Sequence, residues 1–325
     1  MNIPPASKTP GPDWPNPEPP SKAKSILSFI KALSYHLGLT LIKVVAVPIE
    51  LSVLTVAESS RVICTLFERK RVTENPKTSD HLASICNEVK KVIGITLKYG
   101  IVRKGEELQD VETADGPQFV RIEPKSNQNG TPILYAPGYL DTPETLKSTC
   151  RRIADAHGGP VYIVKYRSLF QSIDEHAKDV EDLANRIKND THCDSLVLIG
   201  HSMGGLVTGR FIENVPNTKV SCWITIATPL KGTKIAHLGI GTCAKEMRPN
   251  SVWMQQFQKN DHTLQNTPSL HICTKTDHIV NYTSSYQEAN SFVCPEPYGH
   301  ISIRDNEMIE DKIIETLKNV AKGAD

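Results

Sequence analysis

The chain has no excess of charge of either sign, since 37 lysines and arginines stand against 36 aspartates and glutamates. The sequence has no basic patch interleaved with aromatic residues, so we expect no nucleic-acid partner. The eight cysteines include no C-x-x-C pair, which argues against a zinc site or a dithiol redox motif. The chain also lacks a positively charged start that runs into an apolar core. We therefore expect no secretory signal and a cytoplasmic or membrane-associated protein.

What the chain does have is an ordinary globular composition, with 325 residues of which 39% are hydrophobic and 22% are charged. This length suits one large α/β domain with an appendage, or two small domains. Cys243 and Cys294 lie in later loop or edge regions and could pair, but reduced thiols are favoured.

The N-terminal third differs from the rest of the chain. Residues 1–20 contain eight prolines and are predicted to be a disordered or extended tail. Residues 21–117 are predicted to form a helical, apolar N-terminal segment. Within it, residues 22–31 follow an amphipathic helical pattern with lysines on one side.

An almost wholly apolar run at 37–57 follows, interrupted by Lys43, Pro48 and Glu50. Three interpretations of residues 22–71 remain open. They are a helical hairpin that packs on the following domain, an anchor at a membrane surface, and a transmembrane span, which the central charges and the proline disfavour.

Residues 118–325 show a regular alternation of strand and helix patterns. Strands are predicted at 119–122, 133–136, 161–164, 196–199, 220–227, 270–273 and 292–294. Helices are predicted at 144–156, 173–188, 206–213 and 308–320, and a further helix at 81–92 precedes this region. Strands separated by helices predict an α/β fold whose mostly parallel sheet carries helices on both faces.

One motif carries the functional signal: Gly200-His201-Ser202-Met203-Gly204, which fits G-x-S-x-G between a predicted strand and a predicted helix. In that setting the central serine occupies a strained turn with its hydroxyl pointing away from the sheet. The two glycines are needed because a side chain at either position would clash in so tight a turn. We therefore predict that Ser202 is a nucleophile and that the amide of Met203 faces an oxyanion.

A serine nucleophile needs a histidine that takes its proton. We predict that His300 is this base, because it follows a glycine on a loop between the last short strand and the closing helix. His201 lies inside the strained turn, so its ring must point elsewhere. His278 follows a candidate acid directly, and His271 heads a strand, where a structural histidine is expected.

The orienting acid is predicted to be Asp277, which emerges at the carboxyl end of the strand at 270–273, on the same edge as Ser202. Asp261 lies in a polar loop before that strand, and Asp305 has the pattern of a cap on the closing helix. The order Ser202, Asp277, His300 is typical of groups on successive strands of a single sheet.

The second oxyanion donor should come from the loop after an earlier strand. Pro137-Gly138-Tyr139 follows the strand at 133–136, and Gly138 lets the chain bend close to Ser202. We predict that the amide of Tyr139 is this donor. An ordinary Pro-Gly turn is the alternative, and the Tyr139 ring could also line an acyl pocket.

Together these residues resemble the α/β-hydrolase superfamily, and within it bacterial triacylglycerol lipases and esterases, over about residues 118–322. The resemblance rests on Gly-His-Ser-Met-Gly-Gly at 200–205, Thr-Pro-Leu-Lys-Gly-Thr at 228–233, Met247 with Ser-Val-Trp-Met at 251–254, Thr-Asp-His-Ile-Val at 276–280, and Gly-His at 299–300. It implies the same roles for Ser202, Asp277 and His300. Such lipases usually carry His-Gly in the oxyanion loop, where this chain has Pro137-Gly138.

The expected activity is hydrolysis of carboxylic esters, with an ester or lipid as substrate and no metal or organic cofactor. A thioesterase, an amidase or a peptidase would use the same three residues. A non-catalytic scaffold at a membrane is the alternative outside enzymes. The insertion at 229–268 is where an acyl pocket would be built, although Trp253, Met254 and Phe257 also fit core positions of a surface helix.

Overall fold

Eight strands form one sheet in a computed structural model, which describes residues 76–101, 110–111, 118–126, 130–216, 218–259 and 262–322. The strands are β1 (Asp110–Val111), β2 (Gln118–Ile122), β3 (Ile133–Ala136), β4 (Val161–Lys165), β5 (Ser195–His201), β6 (Lys219–Ile226), β7 (Ser269–Thr274) and β8 (Ser291–Cys294). Their order across the sheet is β1-β2-β4-β3-β5-β6-β7-β8.

The helices of the described residues connect or flank these strands. They are α1 (Thr78–Ile101), α2 (Pro143–His157), α3 (Ile173–Thr191), α4 (Met203–Asn214), α5 (Thr242–Glu246), α6 (Val252–Lys259), α7 (His262–Gln265), α8 (Tyr282–Ser285) and α9 (Glu307–Lys322). A short 3₁₀ helix covers Lys234–His237. Helix α1 continues beyond the predicted end at residue 92.

In the sheet order β4-β3-β5-β6-β7-β8 every pairing is parallel, whereas β2 pairs antiparallel with both β1 and β4. Parallel neighbours need long crossover connections, and helices supply them here. The predicted mostly parallel sheet is therefore confirmed. Its carboxyl ends lie along one edge, which is where the loops that follow β3, β5, β7 and β8 meet.

Alternating residues of the strands fill two cores, one on each face of the sheet. On one face, Leu134, Leu198 and Trp223 pack against helices α3 and α4. On the other face, Ile199 and Ile224 pack against α2 and α9, together with Ile133, Tyr135 and Val197. Because both faces are covered, the central strands are apolar throughout rather than alternating.

Local sequence signals explain where helices begin and end. The Ser172 hydroxyl accepts the Glu175 N–H at the start of α3, and the Glu175 carboxylate accepts the Ser172 N–H in return. This reciprocal pair satisfies two amides that the helix itself leaves without partners. Helix α2 ends at His157 and is capped by Gly158, whose φ of 77° is a conformation that glycine adopts without steric cost.

Several predictions fall on residues that the structure does not describe. The proline-rich tail, the three interpretations of residues 22–71, and Asp261 lie outside the described residues. Within the described part, no helix is long and apolar enough to cross a membrane. The seven cysteines described are free thiols, so Cys243 and Cys294 are not paired.

Candidate active site

Ser202 lies between the end of β5 and the first turn of α4, with φ 54° and ψ −123°. A non-glycine residue with this backbone conformation is strained, and such strain persists only where its surroundings fix it. The Ser202 N–H is held by the carbonyl oxygen of Ile226 at 2.8 Å. The sharp turn predicted from the motif is therefore present.

The glycines of the motif are required by close backbone contacts. A Cβ added to Gly204 would lie 2.0 Å from the carbonyl oxygen of Ala136, and one added to Gly200 would lie 2.4 Å from the N atom of Gly205. Both contacts are with backbone atoms of neighbouring elements, which cannot move aside. Only glycine lets β5 pack this closely against the start of α4, and the start of α4 against β3.

The fold brings Ser202, Asp277 and His300 together, although 98 residues separate the serine from the histidine. His300 Nε2 lies 2.8 Å from Ser202 Oγ, and His300 Nδ1 lies 2.8 Å from Asp277 Oδ2. Because the carboxylate only accepts, Nδ1 carries the proton and Nε2 accepts the serine hydroxyl. All three side chains are buried.

The second carboxylate oxygen of Asp277 has its own partners. Oδ1 accepts the N–H groups of Ile279 and Val280, both at 2.8 Å. These bonds hold the carboxylate in place while Oδ2 is directed at the histidine. Asp277 thus forms a local turn with one carboxylate oxygen and reaches His300 with the other.

The other candidate residues lie elsewhere. His271 Nδ1 is 2.9 Å from the Thr225 hydroxyl, as expected for a structural histidine. Asp305 does not cap α9, because the first amides of that helix bond to Asn306 instead. Asp305 forms ion pairs with Arg304 and Lys91, so its predicted capping role is wrong.

Arg304 connects the loop of His300 to the loop that carries Tyr139. Its buried guanidinium forms ion pairs with Asp141, two residues after Tyr139, and with Asp305. Burial acts to lower the pKa of Arg304, but the two carboxylates outweigh it and raise the pKa above its ordinary value. This charged cluster joins the loop of His300 to the loop of Tyr139.

The Pro137-Gly138-Tyr139 loop approaches the serine as predicted. A Cβ on Gly138 would lie 3.2 Å from the Cβ of Ser202 and 3.0 Å from Nδ1 of His201. The Tyr166 hydroxyl donates to the carbonyl oxygen of Pro137 at 3.1 Å. Tyr166 therefore braces the loop at Pro137.

Two exposed aliphatic side chains stand next to this loop. The Tyr139 hydroxyl donates to the carbonyl oxygen of Ile240 at 2.8 Å and accepts its N–H at 2.9 Å. Leu238 and Ile240 are 61% and 71% exposed. We call residues 238–240 the apolar loop; its backbone is tied to Tyr139 and its two large side chains face solvent.

By contrast, the aromatic residues of α6 belong to the core. Trp253, Met254 and Phe257 are buried, and the rings of Trp253 and Phe257 stack 5.1 Å apart. A Cβ on Gly209 of α4 would lie 2.9 Å from the Phe257 ring. The interpretation as core residues is therefore correct, and these three side chains do not form an open pocket.

Sequence reasoning missed Glu88, a buried carboxylate on α1 that contacts the residues after His300. It lies in a helix that precedes the predicted catalytic domain, and no motif surrounds it. The only local signal was a glutamate on a helix whose pattern is otherwise amphipathic.

Comparisons with known proteins agree with this architecture. A family model described as "PGAP1-like alpha/beta domain" matches residues 166–303, a range that contains Ser202, Asp277 and His300. A stretch of 113 residues is 25% identical to the Lysosomal thioesterase PPT2 homolog of Drosophila melanogaster. That match covers 33% of this chain and 39% of the relative, so it spans less than half of the relative's length.

Solved structures with a similar fold include two lipases. The mature form of a lipase from Bacillus licheniformis superposes with a TM-score of 0.53 at 12% identity, covering 61% of this chain and 97% of the lipase. Lipase B of Aspergillus fumigatus gives a TM-score of 0.54 at 14% identity, covering 82% of this chain and 84% of the lipase. At such low identity these matches establish the fold.

Proposed function

Because the chain has the α/β-hydrolase fold, we propose that it is a serine hydrolase. The proposed reaction is the cleavage of carboxylic esters through an acyl-enzyme on Ser202. The observation that carries the proposal is the continuous hydrogen-bonded chain from Ser202 Oγ through His300 to Asp277, with both bonds at 2.8 Å. This arrangement pairs a nucleophile with a base and orients the base by a carboxylate.

In the proposed reaction, Ser202 Oγ attacks the ester carbonyl carbon while His300 Nε2 takes the hydroxyl proton. The tetrahedral intermediate collapses, the bond to the alcohol oxygen breaks, and His300 returns the proton to the leaving alcohol. His300 then takes a proton from water, which attacks the acyl-enzyme. In a second collapse the bond between Ser202 Oγ and the acyl carbon breaks, His300 returns its proton to Oγ, and the carboxylic acid is released.

The oxyanion of each intermediate would accept the N–H groups of Met203 and Tyr139. Met203 is the first residue of α4, and a helix provides no internal acceptor for its first amides. Tyr139 follows Gly138, whose close approach to Ser202 brings this loop to the nucleophile. Each such donor contributes about 3–4 kcal/mol to transition-state stabilisation in hydrolases of this kind.

A fatty-acyl or other lipid ester is the proposed substrate class. The support is the apolar loop, which presents exposed Leu238 and Ile240 beside the Tyr139 loop. Aliphatic side chains beside the loop of the proposed oxyanion donor favour an acyl chain over a charged group. The lipases of similar fold are consistent with this choice.

An acyl-thioester is the second candidate substrate, because the matching Drosophila melanogaster protein is described as a thioesterase. The same three residues would cleave it, with a thiol as the leaving group. Matched acyl-ester and acyl-thioester pairs of equal chain length separate the two: kcat/KM that is higher for the thioester by tenfold or more would favour the second candidate.

A fluorophosphonate probe tests the proposal directly. We expect it to label the wild-type protein and Ser168→Ala, which alters an exposed serine, and to leave Ser202→Ala unlabelled. The same Ser202 variant should lose about five to six orders of magnitude in kcat on p-nitrophenyl esters. A folded wild-type protein that neither labels nor hydrolyses esters or thioesters would refute the proposed function.

A further inference from the structure

Glu88 binds the two residues that follow His300. Its Oε1 accepts the N–H of Ile301 at 3.0 Å, the N–H of Ser302 at 2.7 Å and the Ser302 hydroxyl at 2.7 Å. Its Oε2 also lies 3.1 Å from the Ile301 N–H. Because the carboxylate accepts two consecutive backbone amides, it restricts the direction in which the chain leaves His300.

The same helix holds both loops of the proposed catalytic residues. The Ser84 hydroxyl donates to the carbonyl oxygen of Thr276 at 2.9 Å, directly before Asp277. Asn87 Nδ2 donates to the carbonyl oxygen of Pro297 at 3.2 Å, three residues before His300. Helix α1 thus contacts the acid loop on both sides of Asp277, at Thr276 through Ser84 and at His278, whose ring lies 5.5 Å from that of His81. It also contacts the base loop on both sides of the histidine.

The loop is also shaped around the carboxylate. A Cβ on Gly299 would lie 2.3 Å from Cγ of Glu88, so only glycine fits directly before His300. The Ser302 hydroxyl donates to Glu88 and accepts the Gly299 N–H at 2.9 Å. Residues 299–302 therefore close around one buried carboxylate, whose burial would be unfavourable without these donors.

We propose that Glu88 is a positioning residue that fixes His300 within hydrogen-bonding distance of Ser202 and Asp277. The inference rests on the proposed function, because it assigns a catalytic consequence to a contact outside the three reacting residues. His300 has to stay in line with two partners at once, and an error of about 1 Å in such an arrangement can lower a rate by about 100-fold.

The test compares Glu88→Gln with Asp80→Asn. Both change a carboxylate to an amide on α1, but within the part of the chain that the structure describes the Asp80 carboxylate bonds to Lys77 and Ser79 at the helix start. In Glu88→Gln one acceptor oxygen becomes an NH₂ group that faces backbone donors and cannot accept from them. We expect kcat to fall about 10- to 100-fold, KM to stay within about twofold, and Asp80→Asn to match the wild type.

A lower kcat with an unchanged KM distinguishes positioning from general destabilisation. A merely structural role would lower the melting temperature and the amount of folded protein while leaving kcat per folded molecule, titrated with the fluorophosphonate probe, unchanged. If Glu88→Gln gives no cooperative melting transition, Ser302→Ala provides the same readouts, because it removes one donor to Glu88 and leaves the carboxylate in place.

The outcomes separate this inference from the function on which it rests. Suppose that the wild type is reactive and that kcat is unchanged in folded Glu88→Gln, or in Ser302→Ala where that variant is used. This result overturns the positioning role and leaves the hydrolase proposal intact. A folded wild type that neither labels nor hydrolyses any ester or thioester overturns both. A selective loss of kcat, together with a non-additive effect in the Glu88→Gln/Ser302→Ala double variant, supports the positioning role.

Discussion

The imidazole of His201 is hydrogen-bonded to the backbone carbonyl oxygen of His300, with Nε2 and O 2.9 Å apart. A carbonyl oxygen only accepts, so His201 Nε2 carries the proton and donates it. Burial, reinforced by His300 and Arg304, holds the pKa of His201 well below its ordinary value, which keeps the ring neutral. The residue before the proposed nucleophile therefore anchors the backbone of the proposed base.

Replacing His201 tests whether this bond matters for the rate. We expect His201→Phe to lower kcat about tenfold with little change in KM, because the His300 carbonyl loses its donor and the loop can shift. His201→Gln keeps an N–H donor and should retain most of the activity. Equal kcat values in folded Phe and Gln variants would contradict this expectation. Steady-state kinetics on a p-nitrophenyl ester provide the measurement.

Asp277→Asn should leave the local turn intact and disable the histidine. The amide oxygen can still accept the N–H groups of Ile279 and Val280, but an amide NH₂ facing His300 Nδ1 favours the wrong tautomer. We expect kcat to fall by about 10⁴-fold with a melting temperature near that of the wild type. A loss smaller than tenfold would mean that His300 does not depend on this carboxylate.

Two glycine substitutions should separate folding from activity. Gly204→Ala places a Cβ 2.0 Å from the Ala136 carbonyl oxygen, a backbone atom, so we expect a stability loss of about 3 kcal/mol and a low yield of soluble protein. Gly138→Ala meets the His201 ring at 3.0 Å and should fold with reduced activity. Thermal melts of the soluble fractions, followed by kinetics, provide the measurement. A Gly204→Ala protein that is more stable than Gly138→Ala would contradict these contacts.

The apolar loop should control preference for acyl-chain length. We expect the Leu238→Ser/Ile240→Ser double variant to lose about tenfold in kcat/KM on long-chain esters and to retain activity on acetate esters. The control is Val252→Ser, which alters another exposed aliphatic residue, 72% exposed, at the start of α6. Equal losses on short and long chains would show that the loop does not contact the acyl chain.

Stability should fall in mild acid because of His176. Burial lowers the pKa of His176 to about 4 from 6.5, so the unfolded chain takes up a proton at a higher pH than the folded chain. The free energy of unfolding should therefore decrease as pH drops from 6.5 towards 4, by roughly 3 kcal/mol from this group.

Denaturant unfolding at several pH values measures this effect. His176→Gln removes the titrating group, and its free energy of unfolding should decrease less steeply between pH 6.5 and pH 4.5 than that of the wild type. Identical slopes for the two proteins would assign the acid sensitivity to other residues.

Much of the fold follows from local patterns in the sequence. The apolar run at 196–199 has no polar residue to place on a solvated face, so it predicts a buried central strand, as observed in β5. The interruption by Gly200 and Gly204 predicts the sharp turn, because steric exclusion at a tight turn is a local property of the backbone. Ser202, Asp277 and His300 were predictable from the order of the strands, because each residue follows a strand that ends at the same edge of the sheet.

The tertiary structure alone decided what surrounds these residues. No motif surrounds Glu88 or Arg304, because a carboxylate or guanidinium is identified as buried only when distant loops close around it. Likewise, Trp253 and Ile240 are both apolar residues of one insertion, yet one packs against α4 and the other faces solvent beside Tyr139. The sequence determined where the chain turns, whereas long-range packing determined which side chains those turns bring together.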